Sequence, residues 1–260
     1  MCKLWLPEPW LGCPVRTLLI GAGGTGSHLF GALMALDHAL RSLNHPGGLH
    51  VTVFDPDKVS SHNIGRQAFW PADVGQNKAL TLVQRANLAM GLDWVAEPAR
   101  FRMDRRLLAE FDLIISAVDR ARLRAEIGQG SDRYSYTHSQ PILWLDTGNA
   151  ESQAQLILGH WRAGRAVEWI PNVYQLFPEL AAMEDRANRA PPCSAVESLS
   201  RQWLPINRIV ADTAQSLLWM LFRQGKVDIH GAIIDLQSLS IQPLRCDPLV
   251  WASFGWQTER

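Results

Sequence analysis

The chain has no surplus of either charge: 25 Lys and Arg balance 25 Asp and Glu across 260 residues. A nucleic-acid binder carries a basic excess to neutralise phosphates, so bulk charge gives no support for a nucleic-acid partner. Long apolar runs are also missing. None approaches the roughly 20 residues that span a bilayer, and the richest, Ala214 to Phe222, is interrupted by Gln215 and Ser216. Met1 to Pro14 holds one basic residue, Lys3, and its apolar residues are broken by Pro7, Glu8 and Pro9, which makes a poor secretory leader. A cytoplasmic protein with no membrane partner is expected. Cysteine is scarce: Cys2, Cys13, Cys193 and Cys246 stand apart without a CxxC pair, which argues against a disulfide framework. What remains is an ordinary globular composition, 47% hydrophobic and 19% charged, long enough for one large core.

Periodicity gives the architecture. Thr17 to Ile20 is a short apolar run that leads straight into glycines, as a buried strand does. Leu29, Leu33, Leu36, Leu40 and Leu43 then repeat at helical spacing until Pro46-Gly47-Gly48. Leu49 to Phe54 reads as a second strand, and Asp73 is placed to cap a helix from about Gly75 to Met90. Trp94 to Phe101 is a weaker strand, and Leu113 to Ala117 and Ile142 to Asp146 are strong ones, with a helix from Arg120 to about Tyr134 between them. This order predicts an α/β fold: a Rossmann-like, doubly wound, mostly parallel sheet with helices on both faces. A long irregular crossover region and a C-terminal extension of helix and strands follow. The whole chain reads as one domain. Residues 1–160 form the nucleotide-binding half, 161–202 an irregular loop with Cys193, and 203–260 the closing helix and strands.

Gly21-Ala22-Gly23-Gly24-Thr25-Gly26 sits between the first strand and the first helix. Glycines at Gly21, Gly23, Gly24 and Gly26 let a backbone turn tightly and approach a phosphate, with helix N–H groups behind it. A tight turn without a ligand has the same letters. No Gly-Lys-Ser/Thr follows, so this is not the ATPase phosphate loop. Asp55, ending the second strand, is placed where a ribose hydroxyl would be held.

The next residues are more specific. Asp55-Pro56-Asp57-Lys58-Val59-Ser60-Ser61-His62-Asn63-Ile64-Gly65-Arg66-Gln67 is followed by Asp73-Val74-Gly75-Gln76-Asn77-Lys78-Ala79. The spacing resembles, without a gap, the D-x-D-x-V-x-x-S-N-L-x-R-Q and D-I-G-x-x-K-A segments of the ThiF/MoeB/ubiquitin-activating adenylyltransferase family. His62 and Ile64 stand where that family has Ser and Leu. The resemblance implies ATP binding by the glycine loop, Asp55, Asp57, Asn63, Arg66, Gln67 and Lys78, with Asn63, Arg66 and Lys78 also catalytic. Leu113 to Asp119 resembles the family strand that ends in T-D-N-x-x-x-R, with Val118 and Arg120 as departures. Asp119 then matches the aspartate that meets Mg²⁺, and Arg124 the later arginine; Asp119 could instead cap the following helix.

Many relatives hold a structural zinc in a P-C-x-x-C-L-F-P-E-like frame. Here the frame is Pro171-Asn172-Val173-Tyr174-Gln175-Leu176-Phe177-Pro178-Glu179, with an amide at each ligand position, so no structural zinc is expected. Cys193 resembles the cysteine that many members place before a downstream helix, where a thiolate can take the activated acyl group; an inert cysteine is the alternative. The details Pro192-Cys193-Ser194-Ala195 and Gln202-…-Asn207-Arg208-…-Ala211-Asp212 look most like the ThiF-family component of the bacterial PRTRC system.

The resemblance implies ATP-dependent adenylation of the C-terminal carboxylate of a small ubiquitin-like or sulfur-carrier-like protein, with transfer to Cys193 as the step that would follow if that thiol is not the inert one. It also implies Mg²⁺, a homodimer, and conjugating-enzyme-like or protease-like companions. The alternatives are a scaffold that kept the fold but lost the chemistry, a nicotinamide-dependent oxidoreductase, and adenylation of a tRNA-borne carboxylate. The oxidoreductase would leave Arg66, Lys78 and Asp119 without a purpose, and the balanced charge argues against the tRNA.

Overall fold

The computed structural model describes residues 2–132, 140–164, 168–182 and 202–256. Its centre is an eight-stranded sheet of order β10-β9-β7-β6-β5-β2-β3-β4. The strands are β2 (Val15–Ile20), β3 (Leu49–Phe54), β4 (Val95–Glu97), β5 (Leu113–Ser116), β6 (Ile142–Asn149), β7 (Gln153–Arg162), β9 (Ile229–Asp235) and β10 (Ser240–Arg245). From β4 to β6 all pairings are parallel; from β6 to β10 all are antiparallel. A separate ribbon pairs β1 (Leu4–Trp5) with β8 (Lys226–Val227).

The central strands are apolar on both faces because helices cover both faces of a parallel sheet. Leu18, Leu19, Val51, Val53, Leu113, Ile114, Ile115, Leu143 and Leu145 are all fully buried. The helices are α1 (Gly24–Ser42), α2 (Lys78–Met90), α3 (Arg105–Leu108), α4 (Ala121–Gln129), α5 (Val173–Leu176), α6 (Ile206–Gln224) and α7 (Pro248–Ala252). α1 and α6 pack on each other, and Leu29, Leu33 and Leu36 of the one and Val210, Ala214 and Leu217 of the other are all buried. α6 starts just after Pro205 and stops at Gly225, whose φ of 70° closes the last turn in the left-handed region. Among the described residues, no helix is long and apolar enough to cross a membrane.

The helix after the second strand begins later than its sequence suggests. Asn77, not Asp73, is the cap: its side chain accepts from Leu80 N at 3.0 Å. Asp73 instead closes a short 3-10 turn, accepting from Trp70 N at 2.7 Å, and pairs with Arg85 at 2.6 Å. The expected third strand, Trp94 to Phe101, shrinks to β4, Val95–Glu97.

Candidate active site

Strand order reverses at β2, which has β3 on one side and β5 on the other. Loops at the carboxyl ends of such neighbours diverge and leave a crevice. A cleft of about 1110 Å³ opens there, and the loops after β2, β3 and β5 all line it. Gly21 turns the chain with φ +95°, its N–H donating to Phe54 O at 2.9 Å. A Cβ on Gly21 would lie 2.7 Å from Ala117 O, and one on Gly26 would lie 1.9 Å from Gly21 O. These two glycines are required by the loop itself. Gly24 is required by its neighbour, since a Cβ there would meet Asn207 Oδ1 at 2.4 Å. Gly23 differs: it lines the cleft, and nothing lies within 4 Å of where its Cβ would be. No side chain caps α1, so its first-turn N–H groups remain available to an anion.

Asp55 is buried at the mouth of this loop and accepts from Ala22 N at 2.6 Å and Asp57 N at 2.8 Å. Burial pushes its carboxyl above the usual range, opposed by the Ala22 N–H and by the charge of Lys78. Lys78 is the first residue of α2 and is nearly buried. A cation is disfavoured at a helix N-terminus, and its ion-pair partner, Asp57 at 3.5 Å, is itself largely in solvent. Such local conflicts mark functional positions.

Asn63 closes a capping box, accepting from Ser60 N at 2.8 Å through Oδ1. Its Nδ2 has no partner among the described residues, and the side chain lines the cleft. Arg66 also lines it and pairs with no carboxylate among the described residues. Burial lowers its pKa, its Nε is buried without a hydrogen bond, and Nη1 donates to Gln202 Oε1 at 3.0 Å. Gln67 is buried beside it with an unpartnered Oε1. Asn63 and Arg66 thus face one cavity with donor capacity to spare, and Gln67 adds a free acceptor.

Asp119 lines the same cleft and is exposed to it. It does not cap α4, whose N-cap is Arg120 with no side-chain hydrogen bond. Among the described residues no three metal-binding side chains come together. That donor set fits Mg²⁺ carried on phosphates, which keeps waters and needs only one or two carboxylates, and not a metal caged wholly by protein. Arg124 is not a free cation. It is buried on Asp146, with Nε to Oδ1 at 2.9 Å and a second, shorter contact from Nη2 to Oδ2. Ser116 donates to the same carboxylate at 2.6 Å and accepts from Trp144 Nε1 at 2.8 Å.

The cleft therefore gathers Gly21, Gly23, Gly24, Asp55, Asp57, Asn63, Arg66, Gln67, Lys78 and Asp119, with Gly26 behind the loop. Cys193 lies outside the described residues. Sequence reading missed a set of polar side chains that reaches the glycine loop through Thr25. Gln202, Asn207, Asn149 and Thr25 bond to one another where α6, β6 and α1 meet. Their one signal in the sequence is the Gln202-…-Asn207 spacing. The Asn172-to-Gln175 turn is fastened by hydrogen bonds: Asn172 Oδ1 accepts from Tyr174 N at 3.1 Å, and Gln175 Oε1 accepts from Asn172 N at 3.0 Å.

An open α/β sheet of this order, with a glycine loop and a cleft at its switch point, defines a Rossmann-like protein. More narrowly, the chain belongs to the ThiF family, whose model matches residues 14–202. No curated protein matches it significantly. Solved structures with the same fold include Escherichia coli MccB with ATP, at 15% identity and TM-score 0.58, covering 89% of this chain and 63% of that one. Another is PaaA, at 15% identity and TM-score 0.58, covering 89% and 64%. A third is the microcin C7 biosynthetic enzyme MccB in complex with N-formylated MccA, at 17% identity and TM-score 0.55, covering 89% and 64%. The chain thus spans under two thirds of the length of these neighbours.

Proposed function

We propose that this protein adenylates a C-terminal carboxylate of a peptide or small protein with ATP. The observation that carries the reading is the convergence of the glycine loop, Asp55, Asn63, Arg66, Gln67, Lys78 and Asp119 on one cleft at the carboxyl edge of the parallel strands. A dehydrogenase has no use for that cationic and amide set. Membership of the ThiF family supports the reading, as do fold neighbours solved with ATP and with a peptide.

The chemistry follows from charge. A carboxylate oxygen attacks the α-phosphorus of ATP, the bond from that phosphorus to the bridging oxygen breaks, and pyrophosphate leaves. The product is an acyl-adenylate, and no proton moves. The nucleophile is already an anion, so no general base is needed. The obstacle is repulsion between two anions, and the remedy is fixed positive charge that strengthens as charge builds on the phosphate. In this reading Arg66 grips phosphate oxygens with its planar fork, Lys78 supplies a point charge, and Asn63 donates through Nδ2. Asp55 holds the ribose, and Gly23 admits the phosphates to the backbone. Asp119 would hold Mg²⁺, which when bound neutralises phosphate charge.

The substrate class we favour is a small ubiquitin-like protein with a flexible tail, from a PRTRC-type system, with the enzyme acting as a cytoplasmic homodimer. Capture of the acyl group by Cys193 would be a subsequent step. ATP–pyrophosphate exchange with such a protein, carrying either a free or an amidated C-terminus, tests the reading. Exchange with the free tail only, abolished in Asp119→Ala, is expected. Failure of the wild type to bind ATP would overturn it.

A further inference from the structure

Resting on the adenylation reading, we infer that Gln202 is a positioning residue that holds Arg66 on a deliberately uncharged tether. The Arg66 guanidinium is half-buried, yet among the described residues its side-chain partner is a neutral amide: Nη1 donates to Gln202 Oε1 at 3.0 Å. Buried arginines are usually matched with carboxylates, as Arg124 is with Asp146 in this same chain. Among the described residues Arg66 has no such match, and its Nε is buried with no acceptor.

The tether is itself fixed from two further sides. Gln202 Oε1 also accepts from Asn207 Nδ2 at 3.1 Å, and Gln202 Nε2 donates to Asn149 Oδ1 at 2.8 Å. Asn149 Nδ2 donates to Asn207 Oδ1 at 2.8 Å and to Thr25 Oγ1 at 3.0 Å. Thr25 Oγ1 in turn donates to Asn207 Oδ1 at 3.1 Å. Every member is neutral. Thr25 belongs to the glycine loop, Asn149 ends β6, and Asn207 opens α6. The ring thus ties the fork of Arg66 to the loop that would carry the phosphates.

The physical logic is one of charge conservation within the site. A carboxylate at residue 202 would orient Arg66 equally well but would cancel its charge, leaving little for an anionic ligand. An amide oxygen supplies direction without neutralisation. The polyanionic end of the nucleotide then meets a guanidinium that is both preorganised and uncompensated. Gln202 touches no reacting atom in this scheme and acts through Arg66.

Titration calorimetry with ATP and with AMP, in Mg²⁺ buffer, on the full chain tests this. Gln202→Glu is expected to weaken ATP binding about tenfold and AMP binding less than about twofold, since the loss falls on the terminal phosphates. Gln202→Met, which removes the acceptor without adding charge, is expected to weaken ATP by about threefold. In an Arg66→Ala background Gln202→Glu is expected to add no more than about a further twofold. Equal losses of ATP and AMP binding, or an undiminished effect without Arg66, would reduce Gln202 to a structural residue and overturn the inference. ATP binding by the wild type that neither substitution alters would overturn it while leaving adenylation standing. A wild type that binds no ATP would remove both.

Discussion

The glycine loop separates two kinds of glycine that the sequence writes with the same letter. Gly26→Ala would place a Cβ 1.9 Å from the Gly21 carbonyl, a backbone atom with nowhere to go. Overpacking of this kind costs about 1–3 kcal/mol or more, and urea denaturation should show it in the absence of any ligand. Gly23→Ala meets open space. With no atom there for a methyl group to meet, its stability should fall less than that of Gly26→Ala. ATP affinity should still fall, because the methyl group would occupy the approach to the backbone; unchanged affinity would remove Gly23 from the site. Asp146 poses a related question about buried charge. Asp146→Asn keeps the shape but leaves the Arg124 guanidinium buried without its counter-ion, at a cost of about 3–5 kcal/mol. A loss under about 1 kcal/mol would mean that Arg124 reaches water or another partner. Arg124 could be placed from the local motif, but its role could not. Asp146 lies 22 residues away on β6 while Arg124 is on α4, and the two meet only once β6 pairs with β5, the strand that leads into α4.

At the scale of elements, what the sequence discloses is what depends on local order. The apolar run of β2, the glycines, and the start of α1 are consecutive, so strand, loop and helix could be read directly. The parallel core followed from alternation of strands with helical spacing. The amide ring could not be read, since Thr25 and Asn207 stand 182 residues apart and meet only because α1 packs on α6. Asp73 misled because aspartate is as good a cap as asparagine; Arg85 and the Trp70 N–H claimed it first. The turn of α5 shows the opposite case, in which a departure from a familiar pattern carries its own explanation. Amides stand at both positions where relatives hold metal-binding cysteines, and they fasten the turn themselves. Asn172 is fully buried, accepts from the Tyr174 N–H, and donates through Nδ2 to His160 O at 2.9 Å. Asn172→Ala would strip a cap and remove the hydrogen bond to that carbonyl, a combined loss of about 1–3 kcal/mol. Thermal denaturation should report it regardless of added zinc, and a zinc-dependent melting point in the wild type would contradict the account.

The whole molecule carries a pH dependence that originates far from the cleft. His160 and His230 are buried where β7 and β9 run through the antiparallel half of the sheet. His160 Nδ1 accepts from the Ile170 N–H at 3.0 Å, so that nitrogen carries no proton. His230 Nε2 accepts from Trp251 Nε1 at 2.8 Å, which fixes its proton on Nδ1, toward Leu158 O at 3.2 Å. Burial is the main cause that pushes both down to about 4, from an ordinary value of 6.5. Between those two values the unfolded chain binds protons that the folded chain refuses. Stability is therefore intact above about pH 6.5 and declines as pH falls toward 4, the direction that holds when the unfolded state takes up more protons. Each histidine contributes close to one proton around pH 5, or about 1.4 kcal/mol per pH unit. The pair should thus give a slope of roughly 2–3 kcal/mol per unit between pH 6 and 5, before most carboxylates titrate. Urea denaturation at half-unit intervals from pH 7 to 5 measures it. A flat profile would require both rings to reach solvent or to find acidic partners, and the buried sheet that joins β7 to β9 would then be looser than its packing indicates.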